Sequence, residues 1–166
     1  IHVLLIEDEK LVFHILSSLL GNVKDVDFQL DWAKSLKEGN ERLAERSYGL
    51  IILDLFLPDS EGLATFHAIQ SAAPASPIVI LSATENEEMA IGAVRDGAQD
   101  YIFKGEMDSA LLVRCLRYSI ERAELAREVR QYLADLQGME ASFRSIITNT
   151  HDGAIVLSSD GEVLFT

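Results

Sequence analysis

Leu50-Ile51-Ile52-Leu53-Asp54 is followed at once by Leu55-Phe56-Leu57-Pro58-Asp59-Ser60-Glu61-Gly62. The unbroken run of branched apolar residues predicts a central strand buried on both faces, and Pro58 and Gly62 mark a loop after it. In an open parallel sheet the carboxyl ends of the strands face the crevice where ligands bind, so Asp54 stands at the chemical end of its strand. It is the first candidate nucleophile. A plain turn-opening aspartate is the bland alternative, and the chemistry of the other strand ends argues against it.

Outward from this segment, Val3-Leu4-Leu5-Ile6 runs into Glu7-Asp8, Ile78-Val79-Ile80-Leu81 into Ser82, and Tyr101-Ile102-Phe103 into Lys104. Parallel strands gather all of these at one edge of a sheet. Clustered carboxylates repel and raise one another's pKa, which makes a cation among them the natural remedy. Hard oxygen ligands with room for water favour Mg²⁺. A carboxylate nucleophile, a divalent ion, a lysine and a hydroxyl together suit phosphoryl transfer, where catalysis is mostly alignment and charge neutralisation.

Taken in this order, Glu7-Asp8, Asp54-x-x-x-Pro58-x-x-x-Gly62, Ser82-Ala83, Tyr101 and Lys104 resemble a response-regulator receiver domain of two-component signalling. Each motif is weak alone, and together they are specific. The resemblance runs from the first residue to about Arg122. It implies Asp54 as phosphoacceptor, Mg²⁺ held by Asp8, Asp54 and the Phe56 carbonyl with Glu7 acting through a metal-bound water, and Lys104 on the phosphoryl group. Ser82 and Tyr101 would form the switch. The implied donor is a cognate histidine kinase or phosphotransfer protein. One position departs from the family: Gly105 follows Lys104 where the family usually has a proline with a cis peptide. A cis bond before a non-proline costs ~3 kcal/mol, so the aim of Lys104 is the point this departure puts in question.

The chain has 166 residues, more than one small domain and fewer than two, which suggests a complete domain and a fragment. It opens without a methionine, and a few preceding residues are expected. A formal net charge of -13 argues against nucleic acid or an anionic membrane as partner of this segment. No apolar run approaches the ~20 residues of a membrane span, and the opening strand is too short and too soon acidic for a signal peptide. The single cysteine, Cys115, excludes an internal disulfide and fits a reducing cytoplasm; set among Leu111, Leu112 and Leu116, it reads as core packing.

Helical spacing of Val12, Phe13, Leu16, Leu19 and Leu20 predicts a first crossover helix ended by Gly21. Phe28, Leu30 and Trp32 alternate with polar residues as in a strand near an edge. Ser35 with Glu38 is a capping box for a second helix, slightly weakened by Gly39. A short helix from Leu63 to Ala72, with His67 at or near its surface, closes before Pro74 and Pro77. Thr84 to Gly97 predicts another, with acids at its start and glycine at its end. Strand and helix alternate five times. Right-handed crossovers then give a doubly wound α/β fold with a five-stranded parallel sheet, and the family resemblance implies the flavodoxin-like order 2-1-3-4-5.

Asp108 opens the last helix of this domain, and the apolar pattern continues past it. Leu125, Val129, Tyr132, Leu136, Met139, Phe143 and Ile146 recur at alternating separations of four and three, the seam of a coiled coil and the basis for expecting a parallel homodimer. Beyond it, residues 143–166 read as helix, strand, Asp160-Gly161 turn and strand, with His151 in an exposed turn. This piece resembles the opening of a PAS sensory domain. The expected organisation is a receiver over 1–122, a helical coiled-coil linker over 123–142 and a truncated PAS start over 143–166. A histidine kinase or diguanylate cyclase is the kind of output expected beyond Thr166.

Rival readings are less well served. A dehalogenase-type phosphatase needs a second aspartate two residues after the nucleophile, where this chain has Phe56. A P-loop or dinucleotide site needs a glycine fingerprint, where Ile6 is followed by Glu7-Asp8-Glu9. A pseudo-receiver acting only as an interaction module usually lacks one of the acid, aspartate or lysine positions, and all are present here.

Overall fold

The structure, a computed structural model, describes residues 1–23, 26–83, 87–106, 109–149, 156–157 and 163–165. Strand β1 (His2–Ile6) leads to helix α1 (Lys10–Gly21), β2 (Gln29–Ala33) to α2 (Leu36–Glu45), and β3 (Leu50–Leu53) to a small hairpin of β4 (Phe56–Leu57) and β5 (Ser60–Glu61). Then come α3 (Leu63–Ala72), β6 (Ile78–Ser82), α4 (Glu87–Arg95), β7 (Asp100–Phe103) and the long α5 (Ser109–Asn149), followed by β8 (Val156–Leu157) and β9 (Val163–Phe165). The chain divides into two compact units, Ile1–Ala123 and Glu124–Thr166.

The main sheet is parallel with order β2-β1-β3-β6-β7. With the hairpin set aside, this is the expected flavodoxin-like order. The central strands β1, β3 and β6 are apolar on both faces because both faces are covered. On one face Val3, Leu5, Leu50, Ile52, Val79 and Leu81 pack with Val12 and Leu16 of α1 and Leu112, Leu116 and Ile120 of α5. On the other, Leu4, Ile6, Ile51, Leu53 and Ile80 pack with Phe66 and Ile69 of α3 and Ala93 of α4. The period-two alternation along each strand thus divides one sheet into two cores. β2 lies at an edge and is only partly buried, as its alternating sequence predicts.

Several local expectations meet their physical reasons here. Gly21 does not break α1 through a left-handed turn: it is the last helical residue, and Asn22 caps the helix in the right-handed region, its N–H on the Leu19 carbonyl at 3.3 Å and the next N–H, of Val23, on the Leu20 carbonyl at 3.2 Å. Ser35 caps α2 as expected, accepting from the Glu38 N–H at 3.1 Å. The Glu38 carboxylate reaches one residue further back than a capping box requires, to the Lys34 N–H at 2.9 Å. Gly39, which costs helix propensity, is there for packing, since a Cβ at this position would stand 2.7 Å from Ile6 Cδ1.

The expected helix from Thr84 begins in the described residues at Glu87, and its exit glycine, Gly97, has φ 111°. Residues 84–86 and the expected cap Asp108 lie outside the described residues. So do His151 and the Asp160-Gly161 turn, although the strands on either side of that turn pair antiparallel. Among the described residues no helix is long and apolar enough to cross a membrane. Cys115 is half-buried, and its thiol pKa is pushed up by burial and by the neighbouring Asp100 carboxylate, which keeps it a packing residue. His67 pairs with Asp96 at 2.7 Å, joining α3 to the residue that follows α4 on the surface.

Candidate functional site

Backbone hydrogen bonds extend the sheet one residue past its strands and so define the edge where the chemistry lies. The Asp54 N–H donates to the Ile6 carbonyl and the Glu7 N–H to the Ala33 carbonyl, both at 2.9 Å. Glu7 is fully buried and Asp54 is 4% exposed, whereas Asp8 faces solvent. Donor oxygens of Glu7, Asp8 and Asp54 all lie within 4.8 Å of one another. The acidic cluster expected from the strand ends is therefore assembled.

Lys104 crosses to it from the end of β7. Its Nζ donates to Asp54 Oδ2 at 2.6 Å and lies 2.7 Å from Glu7 Oε2. The two buried carboxylates thus share one ammonium. Gly105 in place of proline does not spoil this aim. Among the described residues no peptide is cis, Lys104–Glu106 form a single 3₁₀ turn, and any side chain at 105 would run into the Phe103 ring.

The electrostatics follow from burial. Glu7 has its carboxyl pushed up to about 7, first by loss of water, with the charge of Asp54 adding and the pairing with Lys104 opposing. For Lys104 burial acts to lower the ammonium, but the bonds to Asp54 and Glu7 outweigh it and hold the pKa above its ordinary value. The lysine is a fixed positive charge. Three clustered carboxylates set against this one lysine leave net negative charge, a donor set that fits a hard divalent cation.

The loop after β3 holds Asp54 from the other side. Asp54 Oδ1 accepts from the Phe56 N–H at 2.9 Å. Phe56 and Leu57 pair with Glu61 and Ser60 in the β4–β5 hairpin, where the sequence suggested only a loop. Gly62 closes it with φ 65°, donating its N–H to the Leu55 carbonyl at 2.8 Å. The Thr65 hydroxyl, fully buried, donates to the same carbonyl at 3.1 Å and shares a hydrogen bond with Ser60 at 2.7 Å.

Ser82 is fully buried at the end of β6, in register with Phe103, and so belongs to the same edge. Tyr101 lies further back, in register with Ile80, and packs half-buried against the core beneath α2, α3 and α4. Two neighbours of the site escaped the sequence reading. Trp32, seen there only as a strand aromatic, donates its indole N–H to the Glu7 carbonyl at 2.6 Å and stacks on Phe13 at 4.7 Å. Asp59 accepts from the Leu36 and Lys37 amides of α2. Neither contact has a local pattern that a sequence displays, since both partners are more than a turn away in the chain.

A parallel sheet with an acidic edge, a buried aspartate and an opposed lysine is the arrangement of a receiver, and the chain matches the family model of the response regulator receiver domain over residues 3–116. The chain belongs to that family. It is 33% identical over 130 residues to a putative response regulator NtrX-like of Rickettsia bellii, covering 77% of this chain and 26% of that protein. It is 34% identical over 126 residues to the KDP operon transcriptional regulatory protein KdpE of Escherichia coli, covering 74% of this chain and 54% of that protein. A crystal structure of NtrX from Brucella abortus superposes with a TM-score of 0.70 at 27% identity, covering 79% of this chain and 29% of the other. The chain thus spans only a quarter to about half the length of these curated relatives.

Proposed function

We propose that this segment is the phosphoacceptor of a larger cytoplasmic two-component signalling protein, taking a phosphoryl group from a histidine kinase or phosphotransfer protein onto Asp54. The observation that carries this reading is the Asp54 carboxylate, buried at the end of β3 with Lys104 Nζ at 2.6 Å and two further carboxylates beside it. An Asp54 oxygen attacks phosphorus, the bond from phosphorus to the donor's imidazole nitrogen breaks, and that nitrogen keeps the electron pair. The Phe56 N–H orients Asp54, and Lys104 moves its hydrogen bond from Asp54 Oδ2 to a phosphoryl oxygen. Asp8, Asp54 and the Phe56 carbonyl would hold Mg²⁺, with Glu7 acting through a water; bound there, the ion neutralises charge on the transferring group.

Ser82 and Tyr101 serve this reading as a switch: the hydroxyl moves to the phosphoryl oxygen and the ring turns into the space behind it. The continuous helix α5 then carries the change toward the exposed seam from Leu125 to Phe143, which suits a parallel homodimer. A PAS domain from residue 143 and a histidine kinase or diguanylate cyclase output complete the proposal. The test is acetyl phosphate with Mg²⁺: one phosphoryl group is expected on the wild-type protein and none on Asp54→Asn. Labelling that survives in the variant moves the acceptor away from Asp54, and a wild-type protein that takes none is a pseudo-receiver used only for protein interaction.

A further inference from the structure

The turn at Pro58-Asp59 joins the loop that holds Asp54 to a helix the proposed chemistry does not otherwise use. Asp59 Oδ1 accepts from the Leu36 N–H at 2.8 Å and Oδ2 from the Lys37 N–H at 2.9 Å. These amides belong to the first turn of α2 and have no carbonyl partner in their own helix. Ser35 takes a third at 3.1 Å, the Glu38 N–H. The helix is therefore capped twice, once by its own N-cap and once by a carboxylate from the hairpin turn 22 to 23 residues away. The bond to the Lys37 amide, with that to Leu36, holds the Asp59 carboxyl below its ordinary value.

The other ties of the hairpin run toward α3, through Thr65, Ser60 and the Gly62 N–H. Asp59 supplies the tie toward α2. Helix α2 is itself seated closely on β1, where Gly39 lets it approach Ile6, the residue before Glu7. The carboxylate thus references the loop after Asp54 to the same strand that carries Glu7 and Asp8.

We propose that Asp59 is a positioning residue for the phosphoryl site: by pinning the β4–β5 turn to the N-terminus of α2 it keeps Phe56 against Asp54 and in place for the metal. This rests on the phosphoacceptor reading. Coupling is reciprocal, so filling the metal site also protects the Leu36 and Lys37 amides.

The test compares Asp59→Ala, Asp59→Asn and Ser35→Ala. Both alanine variants remove a cap of α2, but only the first frees the hairpin. Mg²⁺ titration followed by Trp32 fluorescence is expected to show affinity about tenfold weaker in Asp59→Ala, partly restored in Asp59→Asn, and within about twofold of wild type in Ser35→Ala. Amide exchange by NMR is expected to show the Phe56 N–H less protected in Asp59→Ala than in Ser35→Ala, and Leu36 and Lys37 more protected in wild type when Mg²⁺ is added. Equal Mg²⁺ affinities and equal Phe56 protection in the two alanine variants overturn the role of Asp59. A wild-type protein that acetyl phosphate does not label overturns the phosphoacceptor reading instead, and the Phe56 exchange comparison still decides on Asp59.

Discussion

Helix α5 carries one apolar repeat through two regions with opposite surfaces. Within the first compact unit Leu112 and Leu116 are fully buried and Ile120 is 7% exposed. After Ala123, Leu125, Val129, Tyr132, Leu136, Met139 and Phe143 are each between 44% and 69% exposed. The spacing is helical in both. Periodicity therefore says which stripe of a helix is apolar, while what covers the stripe depends on the rest of the fold. In the first region that cover is the sheet, and in the second a partner helix is the cover we propose.

The largest test of this contrast is on stability. Leu116→Ala empties a fully buried site and is expected to cost about 3 kcal/mol in urea unfolding of the first unit. A loss below about 1 kcal/mol would mean that the start of α5 is not part of the core.

A smaller effect separates the regions by pH. The Glu7 carboxyl is held at about 7, above its ordinary 4.5, so the folded protein binds this proton more tightly than the unfolded chain. The resulting stabilisation is complete below pH 4.5 and is lost as pH rises through 7. In EDTA, Glu7→Gln is expected to remove a slope worth on the order of 1–2 kcal/mol across that window, a reduced figure because Lys104 shares the titration. An unchanged slope would move its origin away from this site.

The smallest stability effect is expected in the second region. Leu136→Glu with Phe143→Glu should change unfolding of the first unit by less than about 0.5 kcal/mol, since neither residue is in its core. Light scattering should meanwhile show the molar mass fall from dimer to monomer. A wild-type chain that is already monomeric at high concentration would show that the stripe has no partner helix.

Local pattern made much of the molecule legible. Leu50 to Leu53 read as a buried central strand because a strand covered on both faces needs no polar alternation, and Phe28 to Trp32 read as an edge because theirs alternates. The hairpin after Leu55 was read only as a loop, since two-residue strands carry no period to detect. Gly39 looked like a flaw in α2 until Ile6 was seen against it. Gly105 looked like a threat to Lys104, and the ion pairs formed with a trans peptide.

The sequence by itself determined the order of strands and helices, the two apolar faces of each central strand and the placing of Glu7, Asp8, Asp54, Ser82 and Lys104 at strand ends. These follow from periodicity and from the handedness of parallel crossovers, which are properties of short segments. Only the tertiary structure decided that Lys104 meets Asp54 across 50 residues, that Trp32 braces Glu7 across 25, and that Asp59 caps α2 across 22 to 23. Such contacts join single polar atoms from distant segments. They arise when the two cores fix where each strand end and loop must stand, and a linear pattern has no means of recording that position.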